Sequence, residues 1–109
     1  MNSLRVRYTL RQLHSLMMAF HEATESIVNR NHEPANDVAL LVYLVLKELR
    51  MRMAIRVDSG KPVKSFTYND KEVMAIHWAI RRNWVITNDS LTEVLLSELF
   101  NKIKTGYTV

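Results

Sequence analysis

The chain has no cysteine, and only two prolines and two glycines among its 109 residues. Without cysteine it can have no disulfide scaffold, no thiol nucleophile and no cysteine-ligated metal. So little proline and glycine leaves no stretch of linker composition, and the chain reads as one domain, residues 1–109. A glycine-rich phosphate loop and a dense carboxylate cluster are also missing. These absences point to a non-enzymatic protein with no cofactor. Long hydrophobic runs are scarce as well. The longest is the nine residues Val38 to Leu46, followed at once by Lys47, Glu48, Arg50 and Arg52. At ~1.5 Å per residue such a helix covers less than half of a ~30 Å bilayer core, so no membrane span is expected. Arg5, Arg7 and Arg11 precede the apolar stretch Leu13 to Phe20, but His14 and Ser15 interrupt it. His21, Glu22 and Glu25 then stand where a secretory signal would carry small residues. A cytoplasmic protein is the expectation.

What is present is helical periodicity. Residues 4–8 alternate apolar and polar as a short strand does. From Leu10 the spacing changes: Leu10, Leu13, Met17, Phe20, Thr24 and Ile27 fall at intervals of three and four, one stripe of an amphipathic helix. Thr9 with Gln12 forms a capping box at its start, and Asn29 to Pro34 breaks it. A second helix begins near Ala35, with Asn36 or Asp37 as its cap, and is apolar on every side from Val38 to Leu46. Its end has two solutions. Leu49, Met51, Met53, Ile55 and Val57 alternate with arginines, so the helix either hands over to a strand near Glu48 or runs on to Arg56. The helix-forming residues favour the longer version. Residues 63–68 read as extended. A third helix is predicted from Asp70 to about Arg82, capped by Asn69 and Glu72, with Val73, Ile76, His77, Ile80 and Trp84 on its inner face. Ser90 with Glu93 is read as the box that opens a fourth helix, ending near Lys104 and Gly106.

Displaced by 60 residues, the chain echoes itself. Val6 meets Phe66, Tyr8 meets Tyr68, the cap Thr9 meets Asn69 and Gln12 meets Glu72. Each half then continues through a connector into a second apolar helix. The expected fold is therefore mainly α: a four-helix cluster with two short strands, arranged as two strand–helix–helix repeats related by a pseudo-two-fold axis.

Three constellations are candidates for function. The first is basic. The formal net charge is +4, and Arg5, Arg7, Arg50, Arg52, Arg56, Lys61 and Lys64 would share one face if the first strand lies beside residues 61–68. Such a face suits phosphate contacts with nucleic acid, or simply keeps an apolar chain in solution. Residues 58–61 form a turn that could carry a wing-like hairpin. The fourth helix, with Glu93 and Glu98 and a broad apolar stripe, is a poor recognition helix. The second constellation is apolar. A helix apolar all round needs cover all round. If the other helices form a layer, one face stays open, and a second copy of the chain would close it. Leu40, Leu41, Tyr43 and Leu44 are the candidate homodimer contacts. The third is His14, His21 and Glu25, spaced seven and four apart on one helical side, the least favoured reading as a metal site. His77 is read as a boundary residue rather than a general base.

Overall fold

A computed structural model describes residues 4–30, 37–59, 65–82, 85, 87 and 89–106. The element order is β1 (Leu4–Val6), α1 (Leu10–Arg30), α2 (Asp37–Asp58), β2 (Phe66–Tyr68), α3 (Asp70–Arg81) and α4 (Ser90–Gly106). The molecule is mainly helical, with four helices and one two-stranded antiparallel ribbon. Among the described residues no helix is long and apolar enough to cross a membrane.

The ribbon pairs Leu4 with Tyr68, Arg5 with Thr67 and Val6 with Phe66. Its strands are shorter than the alternation at 4–8 suggests, because Thr9 turns the chain into α1. Val6, Tyr8, Phe66 and Tyr68 face inward and are buried, while Arg5 and Arg7 stay exposed. Two such strands are marginal alone, so side chains must hold them to the helices. The phenol oxygens of Tyr8 and Tyr68 lie 2.9 Å apart in a buried hydrogen bond. The Phe66 and Tyr68 rings meet edge to face at 5.1 Å. Val6 with Phe66 and Tyr8 with Tyr68 are the residues that the 60-residue displacement made equivalent. They meet in the structure, Val6 with Phe66 across the ribbon and Tyr8 with Tyr68 through their hydroxyls.

Two of the three expected capping boxes form. Gln12 N–H donates to Thr9 Oγ1 and Thr9 N–H to Gln12 Oε1; Glu72 N–H donates to Asn69 Oδ1 and Asn69 N–H to Glu72 Oε1. At α4 the expectation is corrected. Asp89, not Ser90, is the cap: its carboxylate accepts from Leu91 N–H at 3.3 Å and from the Thr92 hydroxyl at 2.7 Å. These bonds hold the Asp89 carboxyl below the usual carboxylate range.

The ambiguous end of α2 resolves as helix. Ala39, Val42, Leu46, Leu49 and Met53 form a buried stripe at intervals of three and four, and the helix continues to Asp58. Ser59 closes it, donating its N–H to the Ile55 carbonyl at 3.1 Å and its hydroxyl to the Arg56 carbonyl at 2.7 Å. The helices form a ring: α2 packs chiefly against α1 and α3, and α4 against the same two. The repeat is unequal, since α1 has 21 residues and α3 has 12. The core is one cluster, with Leu13, Leu16, Phe20, Leu46, Leu49 and Ile76 wholly buried at its centre.

Burial pushes the Tyr8 hydroxyl up to about 12 and Tyr68 well above its ordinary range. Two predictions follow from this pair. Tyr8→Phe or Tyr68→Phe alone strands the remaining hydroxyl and should cost ~1–3 kcal/mol, whereas the double variant should cost less than the sum, as a denaturation cycle would show. The fold also keeps both groups neutral. Their contribution is complete below the ordinary tyrosine value of 10.0 and is lost as pH rises through about 12 at Tyr8, because the unfolded chain releases these protons first. Alkaline unfolding followed by phenolate absorbance should therefore show stability falling over that window, and less so in the double phenylalanine variant.

Candidate functional site

The basic constellation is only partly assembled. Arg52 and Arg56 lie one turn apart on α2 and both reach β2. Arg52 Nη2 donates to the Thr67 carbonyl at 2.8 Å, and Arg56 Nη2 to the Ser65 carbonyl at 2.7 Å. Ser65 and Thr67 are two residues apart, so their carbonyls emerge on one edge of the strand. Arg52 also covers the Phe66 ring at 4.9 Å and forms an ion pair with Glu72, which is only 2% exposed. Its guanidinium joins α2, β2 and the capped start of α3. With Arg5 these two arginines line a groove that also holds Ile55, Ser65 and Thr67. Arg7, just past the end of β1, is exposed too. Arg50 belongs elsewhere: two residues before Arg52, it points about 200° around the helix, and its enclosed Nε has no hydrogen-bond partner among the described residues. Lys61, Lys64 and the wing-like turn extend outside the described residues. The structure thus gathers Arg5, Arg52 and Arg56, and one of those three charges is balanced by Glu72.

The histidine constellation is not assembled. His21 Nε2 and Glu25 Oε1 approach to 3.9 Å, both on partly exposed side chains. No three ligating side chains converge among the described residues, so His14 does not complete the set. His77 stacks on the Phe100 ring at 5.2 Å and 14°, and it has no hydrogen bond to a carboxylate or hydroxyl among the described residues. It lies within α3, partly buried, between the core side and the solvent side. Trp78 itself lies under the Arg82 guanidinium at 4.4 Å.

The apolar constellation is the best formed. Because α2 is flanked by α1 and α3 rather than surrounded, its outer face is open. Leu40, Leu41 and Leu44 lie there, 44%, 61% and 47% exposed. Tyr43 does not join them. It is half-buried against the core, since one residue is about 100° of helix and Tyr43 turns towards the inner side. The face is instead extended by Met51 and Ile55, and Met74 of α3 adds to the exposed apolar surface. Between α2 and α3 runs an almost wholly apolar groove lined by Val38, Leu41, Val45, Met74 and Trp78, with Lys71 at its side. Met51 and Ile55 escaped the sequence reading although their signal was visible. An apolar residue at every second position cannot all face one side of a helix; Leu49 and Met53 point in, so Met51 and Ile55 must point out.

No family model, no curated protein and no solved structure matches the chain. The reading of function therefore rests on these surfaces.

Arg52 and Arg56 should separate on substitution. Breaking a buried ion pair costs ~3–5 kcal/mol, and solvent at the arginine side brings this to about 2 kcal/mol for Arg52→Ala. Arg56→Ala, which removes a single exposed hydrogen bond, should cost under about 1 kcal/mol. Urea denaturation of the two variants measures both values.

Proposed function

We propose that the protein is a non-enzymatic interaction module that self-associates into a homodimer through the outer face of α2. The observation that carries this reading is the exposed apolar line Leu40, Leu44, Met51 and Ile55 on one helix, interrupted only by Lys47 and Glu48, with Leu41 beside it. Isolated exposed apolar residues are ordinary, but a line of them along one helix face supports a contact surface. Each of these side chains, already half-covered, gains roughly 1 kcal/mol when the rest of its surface leaves water. A second copy presents the same face, so a two-fold contact satisfies both at once. The absence of cysteine suits a reducing, cytoplasmic setting.

A nucleic-acid role for the basic groove is the second reading, supported by the convergence of Arg5, Arg52 and Arg56. It ranks lower because Arg52 and Arg56 already serve as ties between α2 and β2.

Sedimentation over a concentration series tests the first reading. The native chain should be a dimer that dissociates on dilution, and Leu44→Glu should be a folded monomer with an unchanged far-UV spectrum. A native chain that stays monomeric at every concentration overturns the proposal. Anisotropy of a labelled random duplex across a salt series tests the second. Binding whose logarithm falls steeply with the logarithm of salt would promote the basic groove over the apolar face.

A further inference from the structure

The outer face of α2 carries information about direction as well as stickiness. Leu40, Leu44, Met51 and Ile55 lie along one line of the helix, with a gap in the middle where Lys47 and Glu48 fall. Consecutive residues stand about 100° apart around a helix, and the centre of the apolar line passes between these two. Lys47 therefore flanks the line on one side and Glu48 flanks it on the other, at nearly the same height. Both are exposed, and neither has an ion-pair partner among the described residues.

When two copies of such a helix meet face to face, the flanking residues decide the orientation. In an antiparallel two-fold pair each flank meets the same flank of the partner. Lys47 would then oppose Lys47 and Glu48 would oppose Glu48, which is repulsive on both sides. In a parallel two-fold pair each flank meets the opposite flank. Both copies of Lys47 then face a Glu48, and two symmetric ion pairs close the gap in the apolar line. We infer that the protein forms a parallel two-fold dimer in which α2 packs on α2, Leu44 and Met51 each meet their own counterpart, and Lys47 of each copy pairs with Glu48 of the other. The inference rests on the self-association reading above and adds its partner, orientation and register.

The surface charges supply the specificity here and the apolar line supplies the adhesion. A contact along one helix, ~33 Å long for 22 residues, lies at the small end of specific interfaces. Like-charge repulsion at its centre is then enough to reject one of two otherwise similar packings.

The chain has no cysteine, so single cysteines report without background. In the full-length protein Leu44→Cys and Met51→Cys should each form a self-disulfide under mild oxidation, whereas a mixture of the two should give no preferred mixed dimer. Charge reversal supplies the independent test by sedimentation. Lys47→Glu and Glu48→Lys should each weaken the dimer roughly tenfold, since two symmetric contacts turn from attraction to repulsion, and the effect should shrink at high salt. The combined swap Lys47→Glu with Glu48→Lys should restore affinity to within about twofold, because opposite charges again face each other. Preferential crosslinking of Leu44→Cys to Met51→Cys, or a swap that fails to restore affinity, overturns the parallel register while leaving self-association in place. A native chain that never dimerises overturns both. All four positions are exposed, so unchanged thermal unfolding of each variant separates loss of contact from loss of fold.

Discussion

The ion pair between Arg52 and Glu72 is the tie on which the arrangement of α2, β2 and α3 depends. Glu72 is buried because it completes the cap of α3, reaching back to the Asn69 N–H. A buried carboxylate needs a partner charge, and Arg52 supplies it from α2. The same guanidinium holds the Thr67 carbonyl and covers Phe66, so one side chain fixes helix, strand and cap together. Arg56 repeats the strand contact one turn later. The ribbon is too short to hold itself; these arginines fasten it to α2, and the Tyr8–Tyr68 hydroxyl pair ties its two chain segments to each other.

This tie also decides what α2 shows to solvent. Once Arg52 and Arg56 point at β2 and the stripe from Ala39 to Met53 points at the core, the helix has no rotational freedom left. Leu40, Leu44, Met51 and Ile55 are then exposed by geometry, whatever the cost. A sequence under pressure only to fold would place polar residues there. Four large apolar side chains on that line, with one cation and one anion between them, are the physical reason to look for a contact.

Local chemistry made most of the fold legible in the sequence. The boxes at Thr9 and Asn69 were readable because capping depends on residues three apart in the chain. The internal echo aligned Val6 with Phe66, and the ribbon pairs these two residues. The cap of α4 was misplaced by one residue because Asp89 and Ser90 both accept hydrogen bonds readily, and only the backbone course selects Asp89. The end of α2 was ambiguous because alternating Leu, Arg and Met satisfies a strand pattern and a helix equally; packing of Leu49 and Met53 settles it. The candidate surfaces were less legible. Tyr43 and Leu44 are neighbours in sequence and opposites in burial. The arginines looked like a free cationic face because nothing in the sequence announces that Glu72, 20 residues from Arg52, would be buried beside it.

The two surfaces are less independent than they look when taken one at a time. The ribbon is fastened to the second half of α2, around residues 52–56, so the direction in which two helices pair decides where two ribbons go. An antiparallel pair would send Arg5 and Arg7 of the two copies to opposite ends. A parallel pair would bring them to the same end and double the number of cations there. Phosphate affinity rises steeply with the number of cations that act together. A basic groove too sparse to hold a polyanion in one copy can thus become competent in two, and an apolar contact between helices would control it without touching it. If the proposed dimer forms, self-association would precede anion binding, and α2 would be the element that links the two.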